Sequence, residues 1–208
     1  MHDLKNLDCL LPETRALLLR LIESCPFLGN YVLVGGSALT LHLCHRQSED
    51  LDFFTYDDRF DIQEILECIK TFEDKAILNR TDEQIDLIIG GVKVTFFNAR
   101  WQFLEPHNQG AFHLATLDQI AAMKVNTLFL RAKYRDYYDL YFLAKEAMGL
   151  RRIFDHSKDV VDGITYKLFA VGLLYIDDIV DDDISYLNPK EKITKEKIRD
   201  FFETRLNA

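Results

Sequence analysis

The sequence predicts an α+β fold: a small mixed sheet flanked by helices in residues 1–115, and a helical lobe in residues 116–208. Three observations carry this. A short continuous apolar run, Tyr31–Val34, stops at Gly35 and Gly36, as a strand buried on both faces does. Ile85, Leu87 and Ile89 fall on alternate positions, Gly90 and Gly91 interrupt, and Val92, Val94 and Phe96 alternate again, which is the pattern of a β-hairpin with a two-residue turn. From Thr116 onward the apolar residues recur at helical spacing.

Length and composition agree with a globular protein. The 208 residues are enough for one sizeable core with an appended lobe, and 48% of them are hydrophobic. No apolar run approaches the roughly 18 to 20 residues that span a bilayer, and the first ten residues lack a basic head followed by an apolar stretch, so no membrane and no export are expected. Cys9, Cys25, Cys44 and Cys68 show neither a C-x-x-C pair nor zinc spacing, and are expected to be free thiols in a reducing cytoplasm. The net charge of -9 repels a phosphate backbone as a whole, so a nucleic-acid partner would need a local basic patch.

In chain order, Leu11 to Ser24 is expected as the first helix, with Leu17, Leu18, Leu21 and Ile22 at helical spacing behind Pro12. The strand at Tyr31–Val34 follows. Ala38 to Cys44 is then expected as a short helix with Ser37 as its N-cap. A strand, two glycines and a helix N-terminus bring free N–H groups and the positive end of a helix dipole together, an anion site in outline. The bland alternative is a tight turn that needs glycine only for its dihedrals.

The next strand bears on that choice. In an extended segment Asp50 and Asp52 share one face, while Leu51 and Phe53 take the other. Two carboxylates on one face of an apolar strand are costly unless a cation lies between them, and a hard divalent ion bound through carboxylates and phosphate oxygens would supply it. Solvated acids on an edge strand are the alternative. An amphipathic helix is expected from about Asp61 to Phe72, then strand material leading to the hairpin at Gln84 to Phe97.

Trp101 to Ala115 reads as irregular, ending in a short edge strand. Thr116 opens a helix with the capping box T-L-D-Q. Lys124 falls inside the apolar stripe of Leu117, Ile120, Ala121 and Leu128, and on the next helix Asp136 and Asp139 share a face with Leu140, Leu143 and Ala147. An inward lysine and two inward acids are explained together if both helices face Asp50 and Asp52. Lys124 would then neutralise nucleotide phosphates, and Asp136 would act as base or electrostatic support. A snorkelling lysine and an acid that suits a helix dipole are the plainer readings. Val160 to Ile176 and Lys195 to Leu206 are expected as helices, with a loop between. The run Asp177, Asp178, Asp181, Asp182 and Asp183 reads as a solvated surface that could rim a basic partner.

The pattern G-G-S-A-L, then His45-Arg46, Ser48 and D-L-D-F-F, resembles the first motif of the polymerase-β-like nucleotidyltransferase superfamily, and more narrowly the AbiEii/AbiGii toxin-type nucleotidyltransferases. K-V-N-T-L at Lys124 and R-A-K-Y-R-D-Y-Y-D-L over 131–140 fit the lysine helix and the acidic helix of that family, although Tyr134 and Arg135 stand before Asp136 where a lysine is common. The resemblance implies transfer of NMP from a nucleoside triphosphate, with Mg²⁺ or Mn²⁺ on Asp50 and Asp52. It implies phosphate binding by Gly36, Ser37, Arg46, Ser48 and Lys124, and catalytic roles for Asp50, Asp52, Lys124 and Asp136. It further implies a toxin of a toxin–antitoxin or phage-defence system with a cognate antitoxin, and tRNA 3′ ends as one acceptor class. Arg131, Lys133, Arg135, Arg151 and Arg152 are the local basic residues that could meet RNA.

One departure bears on activity. Superfamily members commonly carry a third strand carboxylate where this chain offers Lys93, Thr95 and Asn98, and Asp86 on the preceding strand is the substitute available, unless it is merely a solvated acid. A nucleotide-binding module without transfer activity, and an antibiotic-modifying nucleotidyltransferase, are the alternatives.

Overall fold

The computed structural model describes residues 4–107, 110, 112–181 and 183–207. Two compact units divide the chain, residues 1–115 and 116–208.

The first unit is built on a six-stranded sheet. After α1 (Pro12–Ser24) come β1 (Val32–Val34), α2 (Gly35–Leu43), β2 (Leu51–Phe54), α3 (Ile62–Ile69), β3 (Lys75–Arg80), β4 (Gln84–Ile89), β5 (Val92–Phe97) and β6 (His113–Leu114). Their order across the sheet is β3-β4-β5-β2-β1-β6. The pairing is mixed: β3/β4, β4/β5 and β1/β2 are antiparallel, while β2/β5 and β1/β6 are parallel. The turn between β4 and β5 is Gly90–Gly91, with φ of +55° and +80°, two left-handed positions in a row that a two-residue hairpin of this hand demands.

Pleating gives the sheet two unlike faces. On one, Leu33, Phe53, Phe96 and Ile85 form a row across β1, β2, β5 and β4, and all are buried. Phe53 and Phe96 stack at 5.2 Å, with the Tyr31 ring edge-on to Phe96 at 5.3 Å. Helix α1 packs against β5 and buries Leu17, Leu18 and Leu21, the face its spacing predicts. The opposite face carries another register row, Val34, Asp52, Thr95, Asp86 and Asn79.

All four cysteines are paired, Cys9 with Cys44 and Cys25 with Cys68, which corrects the expectation of free thiols. The partners are 35 and 43 residues apart in sequence, and only the folded chain brings their Cα atoms to 5.6 and 5.9 Å. Spacing along the sequence carries no trace of that approach.

The second unit is helical: α4 (Leu117–Leu130), α5 (Tyr134–Phe142), α6 (Leu150–Ser157), α7 (Tyr166–Leu174) and α8 (Lys195–Leu206). Thr116 and Gln119 form the reciprocal capping box at the start of α4. Helix α5 continues into a π-helical turn, Leu143–Ala147. The expected helix from Val160 is shorter than its apolar content suggests. Gly163 at φ +69° makes a turn, and α7 starts only where the Thr165 hydroxyl accepts the Leu168 N–H. Helix α6 has no counterpart in the sequence reading. Helix α8 has the expected bounds and buries Ile198 and Phe202, while Phe201 is half-buried. Of the acidic run, Asp177 pairs with Arg199 and Asp183 accepts two bonds from Ser185, while Asp182 lies outside the described residues. Among the described residues, no helix is long and apolar enough to cross a membrane.

Candidate active site

In the first unit, β1 ends and α2 begins at Gly35, whose φ is +71°. Helix α2 thus starts earlier than expected, and its N-cap is Val34, with no side chain capping the first turn. Ser37 is not the N-cap. It is buried, and its hydroxyl donates to the Asp50 carbonyl and lies 3.0 Å from the Ser48 hydroxyl. One proton cannot serve both, so Ser48 donates the second bond. Ser37 and Ser48 therefore tie the turn to the approach of β2, and the backbone of the first turn is what remains for an anion.

Both glycines have steric reasons to be glycine. A β-carbon at Gly35 would come within 2.8 Å of Asp52 Oδ2, and one at Gly36 within 2.7 Å of Arg46 Nη2 and 3.2 Å of Ser48 Oγ. A carboxylate and a guanidinium thus press on successive residues of one turn. Arg46 is buried, donates to the Gln47 carbonyl at 2.9 Å, and its own carbonyl accepts the Thr40 hydroxyl at 3.0 Å. The loop that follows α2 is further held by Cys44, left-handed at φ +48° and bonded to Cys9, and by pairing of Leu10 with Ser48.

Asp52 takes the half-buried face of β2 while Leu51 and Phe53 are buried on the other, as alternation predicts, and Asp50 stands just ahead of the strand. Across from Asp52, Thr95 occupies the adjacent position on β5 and donates its hydroxyl to Asp86 Oδ1 at 2.8 Å. Asp86 also accepts from Gln84 at 2.8 Å and Asn79 at 3.3 Å. It is buried, which corrects the reading of Asp86 as a solvated acid. Lys93 is exposed, and Asn98 accepts the Thr55 hydroxyl at 3.0 Å. Among the described residues no three side chains of His, Cys, Asp or Glu converge as a closed metal site. Two carboxylates are the donor chemistry that a hard divalent ion takes, with its other ligands drawn from phosphate oxygens and water.

Sequence reasoning missed what lies one row along the same face. Phe54, opposite Phe97, has its ring 5.1 Å from Phe97 and 6.0 Å from Trp101, and Phe103 lies 5.6 Å beyond Trp101. The D-L-D-F-F motif contains Phe54, but nothing in the sequence places Trp101 beside it.

In the second unit, Lys124, Asp136 and Asp139 form a buried triad. The ammonium is 2.9 Å from Asp136 Oδ1 and 2.5 Å from Asp139 Oδ2. Asp136 also takes Arg131 at 3.4 Å and the Lys133 backbone N–H at 3.3 Å. Burial pushes the Asp136 carboxyl up, yet Lys124 and Arg131 outweigh that and hold it below the ordinary carboxylate range. The stripe anomalies of α4 and α5 thus resolve into one ion cluster. Of the basic residues named for RNA, Arg131 faces Asp136, Arg152 pairs with Asp118 at 2.6 Å, and Arg151 lies over the rings of Phe154 and Tyr166.

Residues 16–111 match the model of a family described as "Nucleotidyl transferase AbiEii toxin, Type IV TA system". The match spans the glycine turn, Arg46, Ser48 and both aspartates, and ends before Lys124. An uncharacterized protein of Aquifex aeolicus (strain VF5) is 28% identical over 191 residues, 88% of this chain and 93% of that protein. Two solved Helicobacter pylori structures share the fold. JHP933 superposes with a TM-score of 0.55 at 20% identity, covering 92% of this chain and 88% of that one. A protein described as a candidate nucleotidyltransferase superposes with a TM-score of 0.57 at 21% identity, covering 92% and 91%.

Proposed function

We propose, from the premise that residues 16–111 form a nucleotidyltransferase domain of the AbiEii type, that this enzyme transfers NMP from a nucleoside triphosphate to a hydroxyl of an RNA 3′ end, tRNA first among the candidates. The observation that carries the reading is the Asp52 carboxylate set against the Gly35 turn, with Asp50 just before it and the uncapped start of α2 beside it.

Asp50 and Asp52 would hold Mg²⁺ or Mn²⁺, which supplies charge neutralisation for the attacking and leaving oxygens when bound. The backbone at Gly36, with the Arg46 guanidinium against it, would hold the β- and γ-phosphates, and Ser37 and Ser48 keep that turn in register with Asp50. The acceptor oxygen attacks the α-phosphorus in line, the bond from that phosphorus to the bridging oxygen breaks, and pyrophosphate leaves. The hydroxyl proton passes to a base. Asp136 and Lys124, the sequence-based choices for base and phosphate counter-charge, spend their charges on one another and on Asp139 within the second unit. The family description motivates a role as the toxin of a toxin–antitoxin pair, with a cognate antitoxin as partner.

Incubation with each labelled triphosphate, Mg²⁺ and total tRNA tests this directly. Label on RNA that disappears in Asp52→Ala, with the variant still folded, is the expected result; full transfer by Asp52→Ala would overturn the metal assignment. A second reading, a nucleotide-binding module without transfer, is favoured by Thr95 standing opposite Asp52 where a third carboxylate would fit. Tight nucleotide binding with no label on RNA or protein would decide for it, and label on aminoglycosides alone would point to an antibiotic-modifying enzyme.

A further inference from the structure

The face that carries Asp52 continues into an aromatic shelf. Phe54 follows Asp52 by two residues on β2, so the two side chains leave the same side of the sheet about 7 Å apart. Along β2 the order is fixed by register. Asp52 lies opposite Val34, which precedes the Gly35–Gly36 turn, and Phe54 lies opposite Val32, one step away from that turn. The turn, the carboxylate and the aromatic ring therefore follow one another along a line. A nucleotide has the same sequence of parts, with its terminal phosphates, α-phosphate and base in order.

The shelf is built and held. Phe97 pairs with Phe54 across β2/β5, and the Thr55 N–H donates to the Phe97 carbonyl at 2.9 Å. Trp101 is brought over Phe54 by an abrupt turn in which Arg100 takes a left-handed φ of +52° and the Ala99 N–H donates to the Phe97 carbonyl at 3.1 Å. Left-handed backbone at a residue that is neither Gly nor Asn is costly, and such strain gathers at functional positions. Gln102, next to Trp101, donates to the Tyr56 carbonyl at 2.8 Å. Yet Phe54, Phe97, Trp101 and Phe103 are all only half-buried, whereas the aromatics of the opposite face, Phe53 and Phe96, are fully buried. Four rings that could have been closed into a core instead stay partly exposed beside the acidic row.

We infer that Phe54, Phe97 and Trp101 form a stacking site for the nucleobase of the nucleotide whose phosphates lie at the Gly36 turn. The inference rests on the phosphate site proposed above. Ring stacking is tolerant of base identity because every base has a π-face, so this shelf binds all four nucleotides with modest preference.

Trp101 is the only tryptophan of the chain, which makes its emission a direct reporter. The full chain is titrated, with Mg²⁺, against inorganic triphosphate, each of the four nucleoside triphosphates and a short RNA, following heat and tryptophan emission together. Nucleoside triphosphates are expected to quench Trp101 and to bind more tightly than triphosphate, which binds without quenching. Trp101→Ala weakens nucleotide binding roughly tenfold or more and leaves triphosphate binding unchanged, while Trp101→Phe retains affinity. Phe54→Leu, which keeps apolar volume, should lower nucleotide affinity in the same selective way. If triphosphate and nucleotides bind alike, or if only RNA quenches Trp101, the base site is overturned while the phosphate site stands. If neither triphosphate nor nucleotides bind, the phosphate site fails and the shelf fails with it.

Discussion

The Asp52 carboxylate rests against the α-carbon of Gly35, so closely that a methyl group there would meet Oδ2 at 2.8 Å. Gly35 also sits at φ +71°. Gly35→Ala combines both penalties. The backbone term alone is about 1–2 kcal/mol, which lowers Tm by roughly 2–8 °C in a chain of this size. Displacement of Asp52 adds a loss of transfer activity larger than the loss of stability explains. Thermal unfolding and transfer assays on the same sample separate the two, and an active, undisturbed alanine variant would contradict the geometry.

The Lys124 ammonium pairs with both Asp136 and Asp139. Lys124→Met removes the buried ammonium between two buried carboxylates, with Arg131 at 3.4 Å still beside Asp136, and is expected to cost about 3–5 kcal/mol. Replacing all three with Met, Asn and Asn removes the stranded charges and recovers much of that loss. Denaturant midpoints of the single and triple variants check the ordering.

The acid limb of stability follows from the same cluster. Because Asp136 is held below its unfolded value of 3.8, its contribution is present above that value and drains away as pH falls through the lower folded value. Unfolding measured from pH 6 down to pH 2 should therefore steepen below about pH 4. Asp136→Asn should flatten that part of the curve while lowering stability at neutral pH.

The two disulfides close loops of 35 and 43 residues. Loop closure of that size is worth roughly 3–4 kcal/mol for one bridge in the chain-entropy account, and because these bridges interleave in sequence their effects do not add simply. Thiol reagents should find no reactive cysteine in the native protein. A reductant should lower Tm, and Cys25→Ser with Cys68→Ser should reproduce part of the shift.

Much of this was legible in the sequence, for reasons that can be named. The hairpin was readable because Gly90 and Gly91 permit a turn that few other residues do, and the start of α4 because Thr116 and Gln119 satisfy each other locally. Asp52 was readable because alternation in a strand is a property of the chain itself. What stayed hidden depends on distant partners. Ser37 reads as a helix cap in the sequence, since its pull toward Ser48 and Asp50 comes from eleven and thirteen residues away. Asp86 looked solvated, since Thr95 and Asn79 reach it only across neighbouring strands. Trp101 showed no role until the turn at Arg100 laid it on Phe54.

The segment from Asn6 to Leu11 is laced to the end of α2 and the loop bearing Arg46 and Ser48. Asn6 donates to the Leu41 carbonyl at 3.0 Å, Cys9 is bonded to Cys44, and the Leu11 N–H donates to the Ser48 carbonyl at 3.1 Å. Trimming those residues, or reducing that one bond, would unlace a guanidinium and a hydroxyl some forty positions downstream. Residues 6–11 are a girth strap on the loop that carries Arg46 and Ser48.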